Sequence, residues 1–142
     1  MPVSRLPISR LDVELAVVRL LEPLEISHRC LVRPWPDRDV NGASMDRMVL
    51  VALAEERWDP LLSFDGDQAG VLVFDLQLVG RERRGDFGLL ALRDAIDSLM
   101  AGDVAGLGPC ELQRCDFLGR EQSVWRFGLK YLLRVNRFDL GG

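Results

Sequence analysis

The sequence predicts an α+β fold: a mainly antiparallel sheet of about five strands, two helices packed on one face, in the order α-β-β-β-α-β-β. Three observations lead there. Over residues 71–79, Leu72, Phe74, Leu76 and Leu78 alternate with Val71, Val73, Asp75, Gln77 and Val79, which is strand periodicity with one wholly apolar face. Near the C-terminus Trp125, Phe127, Leu129, Tyr131, Leu133 and Val135 alternate with Arg126, Gly128, Lys130, Leu132, Arg134 and Asn136, giving one aromatic-aliphatic face and one basic face. Two other stretches, about Ser9–Glu22 and the residues around Leu89–Leu99, carry apolar residues at helical spacing instead.

Composition sets the frame for these elements. A chain of 142 residues with 48% hydrophobic and 28% charged residues suits a single globular domain, here 1–142, with an N-terminal arm over 1–8 and a short tail over 139–142. The net charge of −4 argues against a dedicated nucleic-acid binder, though not against a local basic stripe. Three cysteines, Cys30, Cys110 and Cys115, form an odd and sparse set that suits reduced thiols and folding in a cytosolic compartment. With one histidine, His28, they make no convincing zinc set. Neither a signal-peptide pattern nor a run long enough to span a membrane is present, so no membrane partner is expected.

Taken in order, Pro2 and Pro7 keep the arm irregular, and Ser9 and Asp12 have the spacing of a helix start. The first helix is expected to present Leu11, Leu15, Val18 and Leu21 to the core and to end near Pro23. His28–Arg33 is a short strand candidate, and the prolines and charges of residues 34–39 require a loop. Within it Trp35 either covers the edge of the core or stands out as an anchor for a partner. Arg47–Glu56 fits strand or helix on pattern alone, and the flanking turn signals favour a strand. Asp65-Gly66-Asp67 is a turn, lacking the later ligands of a calcium loop. After the strand over 71–79 comes a basic turn with Arg81, Arg83 and Arg84, then Asp86 at the expected helix N-cap. Leu89, Leu92, Ile96 and Leu99 share one face of that helix, and Gly102 is its expected stop. The Gly-rich run 102–109 follows a helix and has no GK[ST], so it is a linker rather than a phosphate cradle. Cys110–Phe117 and Ser123–Phe138 close the chain as an antiparallel hairpin.

No nucleophile is accompanied by a base and an orienting partner, so an enzyme is not expected, and no cofactor is implied. Acids outnumber bases from Asp37 to Asp75, and bases outnumber acids from Cys110 onward. Such polarity suits head-to-tail association between copies, and an ordinary solvated surface accommodates it equally well. The stripe Arg126, Lys130 and Arg134 could also line a channel that passes DNA.

The order of elements brings in a resemblance. A helix-first α+β chain has a strand ending in Leu76-Gln77-Leu78-Val79-Gly80-Arg81, a helix containing Gly88-Leu89-Leu90-Ala91-Leu92-Arg93-Asp94-Ala95-Ile96, and a terminal hairpin whose last strand opens Val124-Trp125-Arg126-Phe127-Gly128-Leu129. This resembles the tail terminator (tail completion) proteins of tailed bacteriophages, the Mu-like phage type in particular, over nearly the whole chain. The resemblance implies a virion protein at the head-proximal end of the tail, in a homohexameric ring that stops tube polymerisation. Its implied partners are further copies of itself, the tail tube protein and head–tail connector proteins, with DNA passing through the bore without sequence-specific binding. The family has no interface motif to transfer, so site expectations rest on this sequence: Arg126, Lys130 and Arg134 at a subunit contact or the lumen, Arg81, Arg83 and Arg84 at a docking turn, and Trp35 in the loop. Another connector or tube component, and a small cytosolic adaptor, are the alternatives.

Overall fold

A computed structural model describes residues 7–35, 47–60, 68–121 and 123–141. The readings of the arm before Pro7, of the loop after Trp35 and of Asp65–Asp67 lie outside these residues. The elements are β1 (Ile8–Ser9), α1 (Arg10–Leu21), α2 (Leu24–Ser27), β2 (Leu31–Pro34), β3 (Arg47–Trp58), β4 (Ala69–Gly80), α3 (Leu89–Met100), β5 (Glu111–Glu121), β6 (Val124–Asn136) and β7 (Leu140–Gly141). The main sheet has the order β2-β3-β4-β6-β5, antiparallel throughout except for the parallel pair β2–β3. The α+β class, five main strands and helices on one face are as the sequence predicts. The N-terminal residues Ile8 and Ser9 also pair in parallel with Leu140 and Gly141, so the two ends of the chain are bound together.

β4 lies at the centre. Leu72, Phe74, Leu76 and Leu78 are buried on the helix side, where they meet Val49 and Val51 of β3 and Leu129, Tyr131 and Leu133 of β6. The two long helices add Val13, Val17, Val18 and Leu21 from α1 and Leu89, Leu92, Ile96 and Met100 from α3. Tyr131 is the largest side chain in this core, and its hydroxyl donates to Asp97 at 2.8 Å. Burial pushes its pKa upward, the bond to Asp97 adding to the effect, so the phenol stays a neutral donor.

α1 starts where the sequence places it: the Asp12 amide donates to the Ser9 hydroxyl at 3.1 Å. Its buried face differs. Leu11 is 64% exposed and Leu15 half-buried, while Val13 and Val17 are fully enclosed. The helix is apolar at eight of its twelve positions, so spacing alone permits more than one phase. Its polar residues decide between them. Glu14 accepts the Leu53 amide at 2.9 Å, beside the bulge that breaks the β3–β4 register between Leu53 and Glu55. Arg10 forms a two-bond pair with Glu56, which also accepts the Trp58 indole N–H at 3.2 Å.

The start of α3 also differs from expectation. The N-cap residue is Gly88, not Asp86, and it has no side chain to cap with. Backbone carbonyls of the preceding turn take that role: Leu89 N–H donates to Glu82 O at 3.0 Å and Leu90 N–H to Arg83 O at 3.1 Å. Glycine is required here, because a Cβ at residue 88 would lie 2.4 Å from the Arg84 carbonyl oxygen. At the other end Gly102 donates to Leu99 O, and Met100 is fully buried where Leu99 was expected. The Gly-rich run is organised by Asp103, whose carboxylate accepts the amides of Gly106 and Gly108 at 2.7 and 2.8 Å while Val104 enters the core.

Two outcomes follow from these contacts. Gly88→Ala should destabilise by about 1–3 kcal/mol, because the turn must open to admit the methyl group, and an unchanged urea midpoint would contradict the carbonyl cap. The Arg10 hydrogen bonds hold the Glu56 carboxyl below the usual carboxylate range. A depressed carboxylate contributes stability above its unfolded pKa and loses it as pH falls through the folded value. Arg10→Met should therefore cost about 0.5–1 kcal/mol at neutral pH, discounted for the pair's solvent exposure. The gap from wild type should close below about pH 4 in chemical denaturation run across pH.

Candidate assembly surface at the arginine end of the sheet

Where β4 ends, four strands stop in register. Arg47 of β3 pairs with Gly80, Gly80 with Trp125 of β6, and Trp125 with Arg120 of β5. Residues paired across antiparallel strands share a face, and here it is the helix side: Gly80 lies against Leu89, with a virtual Cβ 2.9 Å from Leu89 Cδ2. The exposed turn Arg81–Phe87 crosses this end and leads into α3.

Two arginine–aromatic stacks flank the turn. On one side the Phe87 ring lies under Arg29 and Arg47, whose guanidinium carbons are 4.7 and 5.1 Å from the ring centre. Arg47 also donates to the Phe87 carbonyl. On the other side Trp125 meets Arg83 at 5.7 Å and Arg120 at 5.1 Å. Phe117 packs tilted against both Trp125 and Phe127, with ring centres 5.5 and 5.6 Å apart. Cation–π contacts of this kind contribute about 0.5–1 kcal/mol when exposed. Their larger effect is to hold the guanidinium groups against the rings.

The aromatic cluster is uncovered for a geometric reason. Two helices side by side, each about 10 Å across, cover roughly four strands spaced about 4.8 Å apart. α1 packs on β2 and β3, and α3 on β4. The fifth strand, β5, is left over at the sheet edge. On its helix side Phe117 is 55% exposed and Leu112 38%, and Cys115 is exposed as well. A groove of about 210 Å³ runs between the turn and β5, lined by Arg83, Phe117, Trp125 and Phe127.

The residues singled out in the sequence divide among three places. Arg81, Arg83 and Arg84 are exposed in the turn. Arg126, Lys130 and Arg134 lie along the opposite face of the sheet, and that face is not purely basic. Lys130 is 3.9 Å from Asp75 and Arg134 3.5 Å from Glu111, while Arg114 and Asp116 of β5 pair at 2.6 Å. Arg126 sits between Val79 and Gly119 in the register. Trp35 is 42% exposed; its amide donates to Val51 O at 2.7 Å, and it borders a notch with Asp75, Gln77, Leu118 and Lys130 above Gly128. Sequence reasoning missed Arg29, Arg47 and Arg120, and the part-exposed Phe87 and Phe117. They are far apart along the chain: the strand register brings Arg47, Phe117 and Arg120 to this end of the sheet, and the loop before β2 and the turn before α3 bring Arg29 and Phe87.

Burial pushes the Cys30 thiol up to about 11 and the Cys110 thiol up to about 12, so both are protonated at neutral pH. No group of three or more His, Cys, Asp or Glu could hold a metal among the described residues, and no helix described is long and apolar enough to cross a membrane.

The fold is shared with a chain of a gene transfer agent virion. The match is to a structure described as the virion of a native gene transfer agent particle, with a TM-score of 0.56 and 16% sequence identity over 87% of this chain and 93% of that one. A second similar structure is the sheath/tube terminator of an extracellular contractile injection system in the extended state, with a TM-score of 0.46 and 9% identity; 97% of this chain spans 61% of it. No family model and no curated protein matches the sequence.

The geometry makes one statement about the turn itself. The first amides of α3 are satisfied by the carbonyls of Glu82 and Arg83, so the helix cap itself uses no side chain of the turn. The triple substitution Arg81→Glu, Arg83→Glu, Arg84→Glu should therefore lower stability by no more than about 1 kcal/mol, mostly from the lost Trp125 contact. A large fall in the thermal midpoint would show that the side chains hold the turn.

Proposed function

We propose that this protein is a tail terminator (tail completion) protein of a tailed phage or phage-like particle, of the Mu-like type. In this reading it is a structural protein of the virion at the head-proximal end of the tail. Copies form a homohexameric ring that caps the tube, stops its polymerisation and offers a surface to the head–tail connector. DNA passes through the bore without sequence-specific contacts.

The observation that carries the reading is the fold shared, over most of both lengths, with a chain of a gene transfer agent virion. The element order and the strand and hairpin segments described from the sequence support it independently. The surface is compatible with assembly: an uncovered aromatic strip on an edge strand, bordered by arginines, suits a protein–protein contact better than open water.

Deleting the gene should give particles with tails of uncontrolled length, seen by negative-stain electron microscopy, and the wild-type protein supplied in trans should restore uniform tails. The purified protein, alone or on tubes, should give a six-copy ring by native mass spectrometry or image averaging. Tails of normal length in the deletion would overturn the reading, and label along the entire tail would instead indicate a tube subunit. The arginine-turn triple mutant should fold but fail to complement the deletion.

A further inference from the structure

We propose that the groove between the α3-leading turn and β5 binds an acidic segment of a partner protein, with one bulky apolar side chain seated on Phe117 and Phe127 and flanking carboxylates held by Arg83 and Arg120. This rests on the reading of the arginine end of the sheet as an assembly surface, and names the chemistry that surface recognises.

Three features select this occupant. The first is shape. Phe117 is tilted by 47° to Trp125 and 57° to Phe127, so the three rings form a pit rather than a flat platform. The pit and its mouth enclose about 210 Å³, and an apolar cavity of about 150 Å³ already holds a benzene. One leucine- or phenylalanine-sized side chain fits. The second is charge. Arg83 and Arg120 border the pit, with Arg81 and Arg84 in the adjoining turn. Arginines already oriented against a ring lose less freedom on engaging a carboxylate, and their planar forks match it. The third is the state of the tryptophan. A base of single-stranded nucleic acid would need an open ring face to stack on, and two guanidinium groups already lie over Trp125. Aromatic and arginine side chains are also the types that dominate binding energy in protein interfaces.

The test uses the whole protein and a fluorescein-labelled twelve-residue peptide of Glu and Asp with a central Leu-Phe, followed by anisotropy. Two other probes are the same peptide with Ser-Ser at its centre and a twelve-base-pair DNA duplex. The Leu-Phe peptide should bind, and the Ser-Ser peptide should bind at least about tenfold more weakly. Phe117→Ser and Arg120→Glu should each weaken the Leu-Phe peptide by about tenfold or more. Lys130→Glu, on the opposite face, should leave it unchanged. Phe117 is more than half exposed, so Phe117→Ser should fold; if circular dichroism shows otherwise, Arg120→Glu decides. Equal binding of the two peptides, displacement of the Leu-Phe peptide by the duplex, or absence of peptide binding would each overturn the proposal. Tail length and ring formation are measured on particles and on protein without peptide, so failure here and failure of the terminator reading are separate results.

Discussion

The hydrogen-bonded confinement of β4 between β3 and β6 is the constraint from which the other elements take their places. Its helix-side face is apolar at every position from Leu72 to Leu78, and burying each such side chain contributes about 1.5–3 kcal/mol before the entropy of ordering is subtracted. A strand of that kind is stable only in the middle of a sheet, with a layer above it. The chain supplies both: β3 and β6 satisfy its edges, and α1 and α3 close over its face. Because β4 ends at Gly80 directly beneath Leu89, the chain must reverse within the short turn and re-enter as α3 over the strand it has just left.

That arrangement leaves a mismatch in width. Five strands are broader than two helices, and the excess falls on β5, the last strand added at the edge. A monomer would be expected to cover or charge such an edge. This one carries charges such as Arg114 and Asp116 on the far face of β5, yet leaves Leu112 and Phe117 exposed on the helix side. An uncovered strip on the core-side face of an edge strand is where another molecule can complete the layer, and the surrounding arginines bias which molecule does so. A partner seated there would extend the same apolar face that organises the interior.

Much of the architecture was legible from local pattern. The alternation in β4 and β6, the Ser9 cap and the apolar face of α3 each depend on residues a few positions apart, and each appears in the structure. What was not legible depends on distance. The phase of α1 is settled by Glu14 and Arg10 reaching partners on β3 some forty residues away. The expected basic stripe on β6 loses its uniform character because Asp75 and Glu111, on other strands, lie opposite Lys130 and Arg134. The cluster around Trp125 draws on Arg83, Phe117 and Arg120, and no spacing rule connects them. Trp125 itself, on the aromatic-aliphatic face of β6, is half-buried at the point where the core runs out to the surface.

The way α3 begins has a consequence for how this surface can change over time. A helix capped by a serine or aspartate ties the identity of that residue to stability. Here the first amides of α3 are satisfied by main-chain oxygens of residues 82 and 83, which any amino acid would provide in the same backbone conformation. Only Gly88 is held by sterics. The cap of α3 thus sets no requirement on which side chains residues 82 and 83 carry. Two proteins could share this fold in full and present turns of opposite charge, each matched to its own neighbour. Specificity would then be written in a segment on which the fold places almost no demand, and relatives would be recognised by shape long after their sequences had parted.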